Sequence, residues 1–226
     1  EVWDSSRICD PSVVGGRFKF ENVEFRYAML YLGASSDANV DNQIGIAFAN
    51  NPAGPWTRYS KPLIAHKQDG QWGLGQASAV NLTARGRLIA FYTKGERKKG
   101  GFFREIDLTD AMHPVIGSEK KMPVEGLTQT DGSPDYLSNF DVAYDAGRDR
   151  FFVVREQHPF PMTEPADISS SLQLVSIPAK DLMRSRGRWV VEATITPSLT
   201  GQMRNHNACI QRTSTGALPD PLQIKV

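Results

Sequence analysis

Cysteine is scarce in this chain of 226 residues, which carries 2, Cys9 and Cys209. Two thiols cannot build a disulfide framework, and no CxxC pair or His-rich spacing offers a zinc site. Lying in different parts of the chain, they are expected to be free, buried thiols. An excess of one charge is equally lacking. Lys+Arg 26 against Asp+Glu 25 leaves a net charge of +1. That balance gives no electrostatic reason to expect nucleic acid or an anionic membrane as partner. No apolar run approaches the roughly 20 residues needed to span a bilayer as a helix. Helical periodicity is also missing, since no long stretch carries apolar residues at i, i+3, i+4 and i+7. With 40% hydrophobic and 23% charged residues, disordered and fibrous classes are excluded. The length suits one ordinary domain.

What the chain does have is strand signals. Residues 25–33, 44–49, 88–93, 151–155, 172–177 and 189–195 are short β-branched and aromatic runs. In 44–49, Ile44, Ile46 and Phe48 alternate with Gly45, Ala47 and Ala49, the period of a strand whose two faces differ. Gly 19 and Pro 14 mark a turn-rich chain.

The strands recur. Four polar residues open similar segments: Asp10, Gln76, Asp141 and His206, spaced by 66, 65 and 65 positions. A turn glycine is expected after each, at Gly16, Gly86, Gly147 and Gly216, and a strong apolar strand follows the first three. Four strands per repeat is how β-propeller blades read, with longer loops for a longer period. The expectation is an all-β chain, a single propeller domain over 1–226. Its repeats of about 65 residues run at about 10–75, 76–140 and 141–205, with a partial one at 206–226. The fourth unit breaks at Pro219 and Pro221, which do not belong in a central strand. Three blades and the start of a fourth look too few to close a propeller. Self-association that covers the open blade edges is therefore the partner mode expected.

In an up-and-down blade the innermost strand opens at the mouth of the central funnel. Asp10, Gln76, Asp141 and His206 are thus expected around it, joined by the loops 34–42, 94–101 and 156–165. Those loops carry Asp37, Asp41, Glu96, Arg97, Glu156, His158 and Glu164. Trp72 precedes Gln76, and Arg204 and Asn205 precede His206, so all three are candidate substrate contacts together with Gln76. Trp72 and Trp56 could stack on a sugar ring, though core packing is the commoner role of such a residue. Two carboxylates and a histidine at a concave mouth suit general acid–base chemistry. One ionised carboxylate activates water, and a second group held protonated donates to a leaving oxygen.

The opening Asp10-Pro11-Ser12-Val13-Val14, the strand at 27–33, and Ile44–Ala49 followed by Asn50-Asn51-Pro52-Ala53-Gly54-Pro55-Trp56 resemble the first blade of five-bladed propeller glycoside hydrolases of families 43 and 117. The likeness covers residues 7–64 well and 72–215 more loosely. It implies that Asp10 is the general base and that Asp141 tunes the acid and orients substrate. Family 43 has a Glu opening the fourth blade, where this chain has His206 in Arg204-Asn205-His206-Asn207-Ala208. The acid implied is therefore His206 or a loop Glu, Glu156 before Glu192. The resemblance further implies a plant or algal oligosaccharide or polysaccharide as substrate, an inverting mechanism, and an extracellular or periplasmic location. No cofactor is required, and a calcium ion on the axis is possible, although no carboxylate-rich calcium loop is present. A carbohydrate-binding propeller without a working acid is the alternative, and so is a truncated fragment without activity of its own.

Overall fold

The computed structural model describes residues 2–95, 100–166 and 168–219, which form three antiparallel sheets. β1 (Arg7–Phe20), β2 (Val23–Ala34), β3 (Gln43–Ala49) and β4 (Thr57–Arg58) make the first, in chain order. The second holds β5 (Leu74–Val80), β6 (Arg87–Lys94), β7 (Gly100–Asp107) and β8 (Val115–Ile116), with β9 (Lys120–Lys121) also paired to β7. The third holds β10 (Phe140–Asp145), β11 (Arg150–Gln157), β12 (Ser171–Pro178) and β13 (Val190–Ile195). Two one-turn helices, α1 (Ala179–Leu182) and α2 (Pro197–Thr200), complete the described elements. Short connections between neighbours give each sheet its sequential order.

Alternation along the strands divides the core. Leu88, Ala90 and Tyr92 of β6 turn to the first sheet and share a cluster with Leu30, Ile44, Ile46 and Phe48. Their neighbours Ile89 and Phe91 turn the other way and pack with Phe151 and Val153 of the third sheet and with Trp189 just before β13. The middle sheet is thus buried on both faces, as sheets stacked like blades require. The far face of the third sheet carries Phe152, Val154, Leu172 and Leu174, and is covered by Ile210 with help from Ala208 and Leu218.

Four positions around the inner strands share a kink. Asp10, Gln76, Asn139 and Asn207 have φ of 52, 52, 43 and 48°, the left-handed region that non-glycine residues seldom enter. In β1 and β5 these residues sit where the pairing register shifts, between Cys9 and Ser12 and between Gly75 and Ser78. Such bulges re-aim a side chain out of the ladder. The residues that share this left-handed backbone with Asp10 and Gln76 are Asn139 and Asn207, two positions before Asp141 and one after His206.

Two other expectations change. Gly16 is not a turn residue but lies inside β1, where an added Cβ would sit 2.5 Å from the Asn81 amide and 2.7 Å from the Arg85 carbonyl. The turn itself is Glu21-Asn22, both left-handed as a two-residue hairpin demands. The fourth segment forms no strand among the described residues and runs along the axis instead. Ser214 O accepts from Gly15 N–H, Thr215 O from Asn81 N–H, and Gly216 O from Tyr144 N–H, at 2.5, 2.8 and 3.0 Å. One short stretch so ties the inner strands of all three sheets together. Asn81 itself is buried and donates to Gly15 O at 3.0 Å, so the Asn81-Leu82-Thr83 sequence serves packing. Asp220, Pro221 and Leu222 of the proline-broken stretch lie outside the described residues, as do Glu96 and Arg97.

Candidate active site at the convergence of the inner strands

A cavity of about 190 Å³ opens where β1, β5, β10 and the axial segment meet. Asp10, Gln76, Asn139 and Asn207 all line it, so the four left-handed positions deliver four polar side chains to one place. Gln76 Oε1 accepts the Asn139 N–H at 3.2 Å, which fixes the second opening residue to the third. Burial raises the Asp10 carboxyl above the ordinary carboxylate value, and the positive charge of nearby His206 pulls it partly back. A half-buried carboxylate with a raised proton affinity is suited to take a proton from water.

His206 is held from below by Glu156. The Glu156 side chain is fully buried at the end of β11, and its Oε1 accepts from His206 Nδ1 and, at 3.1 Å, from Asn207 N–H. Its Oε2 accepts from Asn139 Nδ2 at 2.8 Å. Burial raises the Glu156 carboxyl, opposed by those three donors. Glu156 is therefore a partner of the histidine, and neither of the two is among the residues that line the cavity. With Nδ1 committed to a carboxylate, Nε2 is the nitrogen of His206 left to meet a ligand.

Asp141 also borders the cavity, but both its oxygens are engaged. Oδ1 accepts from Ser78 Oγ at 2.7 Å and faces Arg212 Nη1 at 3.1 Å, while Oδ2 accepts the Ile210 N–H at 3.0 Å. Arg212 goes on to reach Ser12 Oγ at 3.0 Å and Ser78 Oγ at 2.9 Å. A guanidinium thus stands among Ser12, Ser78 and Asp141 on the axis. One carboxylate and two hydroxyls already shared with a cation do not fit a calcium ion. Arg212 was invisible to sequence reasoning, because its partners lie up to 200 positions away.

The remaining expected contacts lie elsewhere. Trp72 is half-buried and packs on the glycine faces of Gly75 and Gly95, where an added Cβ would come within 2.7 and 2.6 Å of its ring. Trp56 is half-buried as well. Arg204 donates to Thr163 Oγ1 at 2.8 Å and Thr163 O at 3.0 Å, and Asn205 Nδ2 donates to Ser170 O at 2.7 Å. Both tie the axial segment to the loop after β11. Glu192 is exposed on β13 and accepts from Ser176 Oγ. Cys9 and Cys209 are free, but Cys9 is half-buried and Cys209 exposed at the cavity, so the expectation of two buried thiols fails. Cys209 follows a left-handed residue on an irregular segment, which no strand pattern could have shown.

A second polar network stands beside the cavity. Arg155, fully buried, pairs with Asp135 at 2.6 Å, and His158 Nδ1 donates to the other oxygen of Asp135 at 2.7 Å. Burial alone would raise the Asp135 carboxyl, but the His158 and Arg155 hydrogen bonds outweigh it and hold it at about 2. A depressed carboxyl stabilises the fold above its unfolded value and loses that contribution as pH falls through the folded one. The Asp135 contribution is therefore expected to disappear between about pH 4 and pH 2. Carbon-detected NMR of the Asp135 carboxyl should titrate near 2, and a midpoint at the ordinary 3.8 would contradict the pairing.

No protein-family model and no curated protein matches the chain. Solved structures do. A thermostable family-43 glycoside hydrolase superposes with a TM-score of 0.55 at 14% identity, over 96% of this chain and 65% of that one. A β-fructofuranosidase of Aspergillus kawachii complexed with glycerol gives 0.51 at 12%, over 87% and 37%. The fold is that of the propeller glycoside hydrolases. An N-acetylgalactosamine deacetylase from F. plautii, in complex with blood group B trisaccharide, gives 0.50 at 12%, over 82% and 51%. The propeller chain described here thus spans less than two thirds of the length of any of these three.

Proposed function

We propose that the chain is a single propeller domain of the five-bladed type, of which it supplies three blades. It acts as a glycoside hydrolase on plant or algal oligosaccharide or polysaccharide. The observations that carry this are Asp10 lining the cavity with the charge of His206 acting on its carboxyl, and a fully buried Glu156 holding the Nδ1 of that histidine. Asp10 accepts a proton from water as it attacks the anomeric carbon. His206 donates from Nε2 to the leaving oxygen, and the Glu156 carboxylate stabilises its charge. Of the acids expected from the sequence, His206, Glu156 and Glu192, this reading takes His206, because Glu156 is fully buried against its Nδ1 and Glu192 lies out on β13. Asp141 positions Ser78 and the axial segment and acts on substrate through them. Inversion suits a base and an acid on separate elements with room for water between. No step runs through a metal. Secretion fits a polysaccharide substrate.

The test is incubation of the chain with arabino-, xylo- and agaro-oligosaccharides, with products read by mass. Cleavage of one series supports the proposal and names the sugar. Binding of a sugar without cleavage of any would turn the cavity into a carbohydrate-binding site.

A further inference from the structure

The network beside the cavity ends in a hydroxyl. Asp135 Oδ1 lies 2.7 Å from His158 Nδ1, and His158 Nε2 lies 3.2 Å from Ser138 Oγ. We propose that Asp135, His158 and Ser138 form a nucleophilic triad that hydrolyses short-chain carboxylic esters, an activity separate from glycoside cleavage.

Each link has a physical reason. Asp135 is fully buried, and Arg155 on its second oxygen keeps it ionised, so Nδ1 of His158 must carry the proton. Nε2 is then the acceptor, and the Ser138 hydroxyl is the group that meets it. The ring cannot swing away. Tyr136 stacks on it with centroids 4.3 Å apart and Phe160 at 4.5 Å. The His158 main chain is pinned as well, its N–H donating to Asp135 Oδ2 at 3.2 Å and its carbonyl accepting from Thr130 at 3.0 Å. A nucleophile on its base, with the base oriented by a third group, is the arrangement that activates serine. Ser138 is half-buried, which limits the acyl group to a small one, and it directly precedes Asn139 of the cavity.

The chemistry balances with water alone. Ser138 Oγ forms a bond to the ester carbonyl carbon as its proton passes to His158 Nε2. The tetrahedral adduct collapses, the carbon–oxygen bond to the alcohol breaks, and Nε2 returns the proton to the departing oxygen. Water then attacks the acyl-serine by the same route, releasing a carboxylic acid and restoring the hydroxyl.

The test is labelling of the whole chain with a fluorophosphonate, followed by peptide mass mapping, with 4-nitrophenyl acetate turnover alongside. An adduct on Ser138 is expected, absent in Ser138→Ala and formed at least about 100-fold more slowly in His158→Gln, the size of a general-base contribution. Both variants should keep the parent circular dichroism and melting curve, which separates lost chemistry from lost fold. If His158→Gln melts early, His158→Asn replaces it, with the same loss of labelling rate expected. No adduct on Ser138 of the folded parent, or one that forms equally fast without His158, overturns the triad. Neither result bears on Asp10, since no sugar is used.

Discussion

Arg155→Met destabilises the fold by about 3–5 kcal/mol, the cost of leaving a buried charge without its partner. Arg155 lies fully inside the third sheet and donates to Asp135 at 2.6 Å, Gln173 Oε1 at 2.5 Å, Thr128 O at 2.8 Å and Glu156 O at 3.0 Å. It also donates to Tyr136 O at 3.3 Å. Methionine fills similar space but donates nothing, so five acceptors lose a donor at once. The exposed pair Arg87–Asp107 is the control. Its distance of 2.9 Å is as good, yet Arg87 is 75% exposed. Arg87→Met should cost less than about 1 kcal/mol, because water already competes for that pair. Urea unfolding followed by tryptophan fluorescence reads both. Equal effects would show that burial does not set the value of the Arg155 pair.

His206→Ala slows cleavage of an unactivated oligosaccharide by about 10²–10⁴-fold, the contribution of a general acid. The same variant should lose far less on a 4-nitrophenyl glycoside of that sugar, since nitrophenolate leaves without a proton. Glu156→Gln should show the same contrast at smaller amplitude. It leaves the Asn139 contact a carbonyl to donate to, but withdraws the negative charge behind the imidazole. A loss equal on both substrates would assign His206 to structure. Unchanged rates on both would remove it from the reaction.

The blade pattern was legible because it is written locally. The segment 151–155 lies in β11, 172–177 in β12 and 44–49 in β3, since β-branched and aromatic runs report burial residue by residue. The opening residues were legible only in part. Asp10 and Gln76 carry the left-handed bend of β1 and β5, and the residues that share it further on are Asn139 and Asn207, one or two positions from the Asp141 and His206 that equal spacing singles out. Spacing counts positions and is blind to a backbone kink that moves by one or two residues between repeats. The partners were not legible at all. Glu156 reads as a loop acid next to strand 151–155, yet it is sealed under His206, 50 positions away in sequence. Ser138 and Asp135 carry no pattern, because what joins them to His158 is a contact between a loop and the end of a strand. Arg212 lies in a stretch that strand rules expected to form a blade and that instead threads the axis.

The most direct measurement pairs turnover with affinity for one variant. Asp10→Asn keeps the size of the side chain and removes its ability to accept a proton. With the sugar that the parent cleaves, calorimetry should find its affinity essentially unchanged while turnover falls by about 10²–10⁴-fold. A variant that cleaves as fast as the parent would contradict Asp10 as the base.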